Sequence, residues 1–500
     1  MDTADKKADQ SETAENFSIL TQAQYQLEHR EQKDMEPIKD EMPTSILQDP
    51  FSGEEGTQVQ YRIMKWCSEL GTKQISVMIA QSISLGVLSL PSSMATLGFI
   101  PYVEKTTLKQ TSGCILILGI GALTTYTGYV LGQFKLRHPH IHNMSDAAEI
   151  LFGTWGREIV TVTQIIFFVF LMGAHILTFS IMMNTLTDHG ACTIIFCLVG
   201  AIICFVLTLS RRLQDVSYLG IICKRDSCSS LYTQTDQIPA SLSIFISVTV
   251  TIIAVGIEAP DIKAYSVNHP TLLSGFSASL NIIISFAGHL AFFSFQSELA
   301  EPRDFTKALV ALQVTDTSLY LVAAVVIYYY AGADVKSPAL LSTSTTVAKV
   351  AFGIALGTIV IAGVIIAHVG AKTIYVRLFR GTNRMNESSL VSYGTWVLIV
   401  LLLWTIAWVI ANAIPVFNDL LSLLAAAFAS WFSFGLEGLF WLHMNRGKLD
   451  TKRKIVLAVL NVFLVVICVL MCGMGLWATG KGISISAKNA HGAFSCADNR

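Results

Sequence analysis

The fold class is decided by residues 79–91, Ile79-Ala-Gln-Ser-Ile-Ser-Leu-Gly-Val-Leu-Ser-Leu-Pro91. They lie inside an apolar run, 75–100, that is long enough to cross a bilayer as a helix. Gly86 and Pro91 interrupt this run, because proline lacks an amide donor and glycine lowers helix stability. Irregular backbone is tolerated at membrane depth where it is buried in protein or lines a cavity. The stretch therefore predicts a membrane helix that is either kinked for packing or broken around a cavity.

The rest of the chain repeats this apolar character. Of its 500 residues, 52% are apolar and 14% are charged, whereas soluble domains carry about 25% charged residues. The net charge of -1 gives no indication of nucleic acid as a partner. The lipid bilayer is the partner that this composition predicts. Eleven runs of about spanning length predict an all-α integral membrane protein, with helices near 75–100, 113–134, 159–186, 191–209, 240–257, 276–297, 308–331, 351–371, 395–414, 417–442 and 455–478.

Three regions follow from the same pattern. Residues 1–70 are hydrophilic and predict a disordered cytoplasmic tail, 71–480 form the transmembrane domain, and 481–500 form a short extracellular tail. The orientation rests on the excess of basic residues in the loops on the side of the N-terminal tail. These include Arg211, Arg212, Arg303, Lys307, Lys372, Arg377, Arg446, Lys448 and Lys452.

A second interruption, Phe286-Ala-Gly-His-Leu-Ala-Phe-Phe-Ser-Phe295, lies in the sixth run. Transporters built from two inverted five-helix repeats have broken helices at corresponding positions, with the substrate between them. The pair of interruptions favours the cavity interpretation, although the halves share no residue-level repeat. Free amides around Ser84 to Val87 would suit a carboxylate, and carbonyls around Phe286 to Gly288 would suit an ammonium group.

Ionisable side chains inside apolar runs are functional candidates. Asp316 is the deepest carboxylate, and with His289 and Glu437 it is a candidate for proton coupling. For Glu437, as for Glu298, an ion pair with a basic loop residue near the inner interface is the favoured interpretation. For His289, as for His175, a structural hydrogen bond explains the residue at least as well.

The sequence gives little indication of a metal site, a disulfide framework or a catalytic motif. The cysteines lie mostly inside apolar runs and form no CxxC pair, so they are interpreted as small core residues rather than as metal ligands or a disulfide framework. The tract His138-Pro-His-Ile-His142 is interpreted as a loop rather than a metal site. No nucleophile elbow, phosphate-binding loop or zinc-helix motif occurs, and neither an enzyme nor a cofactor is predicted.

Four stretches carry a family resemblance: Ser84-Leu-Gly-Val-Leu-Ser-Leu-Pro91, Gly121-Ala-Leu-Thr-Thr-Tyr-Thr-Gly-Tyr129, Phe286-Ala-Gly-His-Leu-Ala-Phe-Phe293 and Pro302-Arg-Asp-Phe-Thr-Lys-Ala-Leu309. They resemble the amino acid/auxin permease family, and within it the fungal neutral amino acid permeases. The likeness runs over about residues 70–478. It implies a LeuT-like fold, with two inverted five-helix repeats and one extra helix, and proton-driven uptake of neutral, including aromatic, amino acids.

The resemblance also implies where the substrate binds. The two broken helices would hold it through Ser82, Ser84, Leu85, Gly86, Val87, Phe286, Ala287, Gly288, His289 and Phe292. The expected location is the plasma membrane, with the vacuolar membrane as the alternative. Two other functions stay open: a receptor of the same fold that binds an amino acid without moving it, and a membrane-embedded transferase. The transferase is disfavoured because neither His289 nor His175 has a partner carboxylate in a local motif.

Two segments depart from the family pattern. Residues 102–112 lengthen a connection that is normally short, and the polar residues 223–239 separate two apolar pieces of the fifth span. Both are interpreted as unspliced intron sequence or an error in the gene structure, with genuine loops as the alternative.

Overall fold

The computed structural model describes residues 85–98, 103–104, 107–108, 113–211, 237–258, 270–299, 302–332, 335–379, 389–488 and 492–500. The predicted tail 1–70 lies outside the described residues. Ser82 and Ser84, two of the predicted substrate-binding residues, also lie outside them.

The described chain is almost entirely helical. The α-helices, numbered in chain order, are α1 (Gly86–Leu97), α2 (Gly113–Arg137), α3 (Met144–Thr187), α4 (Thr193–Thr208), α5 (Gln237–Glu258), α6 (Leu272–Ser285), α7 (His289–Glu298), α8 (Phe305–Ala331), α9 (Thr345–Phe379), α10 (Leu390–Ala413), α11 (Phe417–Leu424), α12 (Leu436–Met444) and α13 (Lys452–Lys488). Short 3-10 helices span Pro302–Asp304 and Ala339–Ser342, and π-helical turns span Ala425–Ala429 and Trp431–Gly435.

Helices lie in all eleven of the predicted segments. Within the described ranges, seven helices are long and apolar enough to cross a membrane, or eight when the bent pair Phe417–Ala429 and Trp431–Met444 is taken as one span. The apolar helices Thr193–Thr208 and Ser243–Glu258 fall below that length. The all-α membrane fold is confirmed, and the count of eleven spans stays a prediction.

Several boundaries differ from those predicted. The third helix begins at Met144, where Asn143 caps its first turn, and Gly153 kinks it at a φ of 67°. A polar helical segment therefore precedes the predicted span, because hydropathy detects the apolar part of a helix and not its capped entry. The last helix continues to Lys488. The predicted extracellular tail, 481–500, consequently begins inside a helix.

The two suspected insertions have different local structures. Within 102–112, β1 (Val103–Glu104) and β2 (Thr107–Leu108) pair in an antiparallel ribbon. The amide of Gly113 donates to the carbonyl of Gly98 at 3.0 Å. The two residues that flank the segment are therefore adjacent in space. Most of 223–239 lies outside the described residues, but α5 takes its first turn from the end of that segment.

Two basic side chains at helix ends bind groups of neighbouring helices. At one end of the bundle, Arg137 of α2 donates to the carbonyl of Met444 at 3.0 Å, which joins α2 to the end of α12. Arg377 of α9 forms an ion pair with Glu158 of α3 at the same end. The basic side chains assigned to one set of loops are therefore brought together.

A disulfide at the opposite end corrects the interpretation of the cysteines. Cys192, just before α4, is bonded to Cys496 in the C-terminal tail. The two residues are 304 positions apart, and no local spacing rule could relate them. Cys197 and Cys204 are free and buried, in agreement with a packing role.

The C-terminal tail is bound to the end of α3, the start of α4 and the end of α10. The Asn499 side chain accepts from the amide of Asn184 at 2.7 Å and donates to Ser180 at 2.9 Å. The amide of Phe494 donates to the carbonyl of Asn412 at 2.8 Å. The tail therefore joins α13 to three other helices.

Candidate functional site

The sixth predicted span is interrupted at residues 286–288. The amides of Phe286 and Ala287 still bond one turn back, at 3.1 and 3.2 Å, and the amide of Gly288 then turns onto the carbonyl of Phe286 at 2.9 Å. A new helix, α7, starts at His289 without a side-chain cap. Helix ends leave amides and carbonyls without intrahelical partners. The first amides of α7 therefore lack intrahelical partners.

Tyr320 of α8 supports the end of α6. Its hydroxyl donates to the carbonyl of Ser285 at 2.9 Å, and its ring meets the ring of Phe286 edge-on with centroids 5.1 Å apart. Tyr320 is fully buried. This contact satisfies one carbonyl that the interruption leaves free. Sequence reasoning missed Tyr320, because an apolar run gives no indication of which side chain faces which break.

Gly86, at the start of α1, lies against the same place. An ideal Cβ at Gly86 would be 2.5 Å from the Cα of Ser285. Glycine is therefore required for close approach of two backbones. The sequence predicted a glycine that leaves room for a substrate carboxylate, whereas the structure gives contact between α1 and α6 as its physical reason.

The predicted aromatic residues pack against α2 rather than around an open cavity. An ideal Cβ at Gly128 would come within 3.0 Å of the Phe292 ring, and one at Gly121 within 3.5 Å of the Phe286 ring. Both phenylalanines are buried, while Ala287 is half-buried. Leu85 and Val87 are also buried beside the break. The accessible part of the interruption is thus its backbone.

His289 joins α7 to α2. Its Nε2 lies 3.1 Å from the carbonyl of Thr124 and 2.9 Å from the hydroxyl of Thr127. A carbonyl can only accept, so the proton is assigned to Nε2. Nδ1 is buried and has no hydrogen-bond partner among the residues that the structure describes. The structural hydrogen bond expected of His289 is present through Nε2, and Nδ1 is not used in it.

Asp316 lies on the inward face of α8. It is 1% exposed and lies between Gln313 and Tyr320, which are also buried. The hydroxyl of Thr124 bonds the Gln313 side chain at 3.3 Å. One face of α8 therefore contacts both α2 and the break.

Glu437 forms no ion pair with any residue that the structure describes. It is fully buried at the start of α12, and neither side-chain oxygen has a hydrogen-bond partner within the described ranges. The sequence interpretation failed because a position near the end of an apolar run does not reveal which neighbouring helices cover it. The side chain of Glu298 lies outside the described residues.

The other histidines have local roles. Nδ1 of the buried His175 lies 2.9 Å from the carbonyl of Ile359, which is a structural hydrogen bond between α3 and α9. Burial, followed by the charges of His140, His443 and Arg137, lowers the pKa of His138. Across the described parts of the chain, no group of three or more His, Cys, Asp or Glu residues could hold a metal ion.

Asn418, the second residue of α11 at the start of the bent span, joins α11 to α1 and to the connection after α8. Its amide donates to Ser92 of α1 at 3.1 Å, and its carbonyl accepts from Ser337 at 2.7 Å. Ser337 belongs to the connection between α8 and α9. Three elements therefore meet at one asparagine that sequence reasoning did not single out.

An apolar groove lies away from this site, lined by Ile165, Ile166, Val169, Phe170, Ile374, Ile399, Leu402, Leu403, Ile406 and Ile410. Its lining is entirely apolar, as expected for a surface that faces lipid. It is not a candidate for binding an amino acid.

Comparison with known proteins decides the family. A family described as "Transmembrane amino acid transporter protein" matches residues 72–480. The chain belongs to this family. The match covers nearly the same residues as the resemblance to amino acid/auxin permeases, which is confirmed. A member of this family is an integral membrane transporter and not an enzyme, so the transferase alternative is removed.

Relatives extend the comparison. The chain is 34% identical to the "N amino acid transport system protein" of Neurospora crassa, over 83% of this chain and 85% of that protein. It is 28% identical to a "Transmembrane transporter" of Gibberella moniliformis, over 88% and 89% of the two chains. The Arabidopsis thaliana "Amino acid transporter AVT1H" is 26% identical over 53% of this chain and 57% of its own length. Amino acid transport is therefore the activity of the family.

A solved structure shows the fold. The crystal structure of MhsT in complex with L-phenylalanine matches with a TM-score of 0.53 and 12% identity, over 80% of this chain and 98% of that one. The LeuT-like fold class that the resemblance implied is thereby confirmed.

Proposed function

We propose that this amino acid transporter takes up neutral amino acids, including aromatic ones, across the plasma membrane together with protons. One observation carries the proposal: the start of α1 at Gly86 touches the end of α6 at Ser285, and α7 begins four residues later at His289. Free amides at helix starts favour a carboxylate, and free carbonyls at a helix end favour an ammonium group. A free amino acid carries both groups.

The side chains around the break support a neutral substrate. Leu85, Val87, Phe286 and Phe292 are apolar, and Ala287 and Gly288 leave the backbone accessible. These residues supply no fixed charge to pair with a charged substrate side chain. An apolar or aromatic side chain is the better match, because burying an unpaired charge is costly. The fungal relative, named as an amino acid transport system protein, supports the substrate class.

The disulfide supports the orientation. Cys192 and Cys496 lie at the end of the bundle opposite Arg137 and Arg377. Disulfides persist on the oxidising side of a membrane, whereas basic loops favour the cytoplasm. Both criteria support a cytoplasmic N-terminus and an extracellular C-terminal tail. Plasma membrane location would expose the tail to the medium.

Uptake into proteoliposomes tests the function. Purified full-length protein would be given labelled neutral amino acids, with a panel of unlabelled competitors, at two external pH values. We expect neutral amino acids to compete and acidic or basic ones not to, and we expect an inward proton gradient to drive accumulation. Binding of a neutral amino acid without flux would instead support a receptor of the same fold. Accumulation that ignores the pH gradient would remove the proton from the proposal.

A further inference from the structure

Glu437 lies where three helices meet. One turn further along α12, Phe440 stacks on Phe134 of α2, with centroids 4.6 Å apart, and meets Phe293 of α7 at 6.4 Å. On another face, an ideal Cβ at Gly438 would be 2.9 Å from the carbonyl oxygen of Asn461 in α13. The carboxyl group is therefore enclosed by protein on all sides and not by lipid or water.

The polar groups around Glu437 do not supply a compensating charge. Both of its side-chain oxygens, Oγ of Ser433 one turn earlier and Oδ1 of Asn461 lack hydrogen-bond partners in the part of the chain that is described. The backbone amide of Glu437 itself lies close to its carboxyl group. Arg137 contacts Met444, two turns away or about 10 Å along the helix.

Titratable groups face Glu437 from each element packed against it. The thiols of Cys468 and Cys472 lie on α13, and an ideal Cβ at Gly435, two residues before Glu437, would be 2.7 Å from Sγ of Cys468. On α2, the Tyr126 hydroxyl accepts from Asn461 at 2.6 Å. On α7, His289 is bonded to α2. His443 lies on α12 itself. The structure gives none of these groups an ion pair or hydrogen bond with Glu437.

These surroundings fit the neutral acid and not the carboxylate. An ionised carboxylate that is buried without a partner is strongly disfavoured, whereas a protonated one resembles an amide in size and polarity. In a membrane helix, such a residue marks an ion or proton pathway by default. The closed arrangement of α2, α12 and α13 therefore requires a proton on Glu437.

The helix that carries Glu437 follows a bend in the same membrane span. The span bends by 40° between Phe417–Ala429 and Trp431–Met444. π-Helical turns occupy Ala425–Ala429 and Trp431–Gly435, directly before α12. Such wide turns are rare and occur frequently at functional sites, because they loosen the regular ladder of backbone hydrogen bonds. A change of charge at Glu437 therefore acts next to a natural hinge.

We propose that Glu437 carries the coupled proton, on a helix separate from the substrate site, and that this proton holds α12 against α2 and α13. The inference rests on the proposed proton-coupled uptake. Glu437 takes one proton from water on the outer side and releases it to water on the inner side. The carboxylate left behind must be hydrated, so α12 separates from its neighbours until a new proton binds.

Glu437→Gln tests the proposal, because an amide imitates the protonated acid but cannot titrate. Reconstituted wild type and variant would be compared for exchange of the labelled neutral amino acid that wild type transports fastest, and for proton entry reported by a pH dye inside the vesicles. We expect the variant to exchange within about two-fold of wild type, since exchange needs no deprotonation. We also expect it to show no substrate-induced proton entry and no accumulation driven by a pH gradient.

Two further variants are compared in the same assay. Glu149→Gln removes a carboxylate that pairs with Arg157 at 2.8 Å near the surface, and should leave proton entry unchanged. Asp316→Asn tests the carboxylate that the sequence favours, and should retain proton entry. Proton entry that survives in Glu437→Gln but is lost in Asp316→Asn would overturn the inference in favour of Asp316.

The outcomes separate this inference from the function on which it rests. If wild type moves no neutral amino acid, the transport proposal itself fails. If wild type transports without proton entry, proton coupling fails and Glu437 with it. Should Glu437→Gln not fold, Glu437→Asp decides the question. It keeps a titratable group in an altered position, so the pH profile of uptake should shift, and an unchanged profile would count against the proposal.

Discussion

At the scale of single residues, Gly86 shows how one position can serve packing and function together. Its missing side chain lets the start of α1 touch the end of α6, where an ideal Cβ would lie 2.5 Å from a backbone carbon of Ser285. A backbone atom cannot move aside as a flexible side chain can. The contact therefore fixes the position of the interruption relative to α1.

We expect Gly86→Ala to be harmful even though alanine favours helices. Overpacking of this kind costs about 1–3 kcal/mol, and the two helix ends should separate. Uptake should fall at least several-fold, with a lower melting temperature of the purified protein. Gly119→Ala on α2 is the matched control, because an ideal Cβ there meets nothing within 4 Å. Equal behaviour of the two variants would show that the contact at Gly86 is unimportant.

At the scale of helices, the structure has closed contacts on the outer side of the break. Asn418, in the first turn of α11, binds Ser92 of α1 and Ser337 in the connection after α8. Ser277 of α6 donates to Ser422 of α11 at 3.1 Å nearby. These hydrogen bonds join elements that must separate if a substrate is to enter from that side.

Asn418→Ala should shift the population toward an outward-open form. The change removes two hydrogen bonds, each of which contributes about 0.5–1.5 kcal/mol. A cysteine introduced at the buried Ser93 reports the opening through its reaction with an impermeant thiol reagent. We expect labelling from outside to be several-fold faster with Asn418→Ala than without it. Equal labelling rates would mean that Asn418 does not control this closure.

The antiparallel ribbon of β1 and β2, within 102–112, interrupts the helical fold. Its flanks are bonded through Gly98 and Gly113. If 102–112 were deleted, these residues would be four positions apart, and the same hydrogen bond would close an ordinary α-turn. We expect the deletion variant to fold and to transport at least as well as the full chain. Mature messenger RNA that contains both 102–112 and 223–239 would contradict the intron explanation.

At the scale of the whole molecule, the C-terminal tail joins distant parts of the chain. Besides the disulfide, the hydroxyl of Thr193 donates to the carbonyl of Ala497 at 2.6 Å, and Arg500 lies 3.7 Å from Asp188. Asp188 also pairs with Lys349 of α9 at 2.6 Å. The tail thus holds together the end of α3 and the starts of α4 and α9.

Cys496→Ser should release the tail and destabilise the transporter. A disulfide typically contributes about 2–4 kcal/mol, so the melting temperature should fall without loss of the substrate site. Cys192→Ser should have the same effect.

In intact cells, an impermeant thiol reagent should label Cys496 only after an impermeant reductant. Labelling that needs permeabilised cells would contradict the orientation.

The sequence by itself determined the kind of protein. Long apolar runs must be helices in lipid, because every backbone polar group has to be satisfied within its own segment. Gly and His in the sixth run indicated the interruption that the structure has at 286–288. Charge in the loops indicated which helix ends share a side. These are local properties, and they can be seen without knowing which helices touch.

The tertiary structure decided which groups meet. It placed Tyr320 on the carbonyl of Ser285, left Glu437 without a partner among the described residues, and bonded Cys192 to Cys496. Helices inside a membrane bundle are apolar on most faces, so periodicity does not show which face meets which neighbour. Contacts between residues 35 or 304 positions apart depend on that choice, and it is fixed only when the bundle packs.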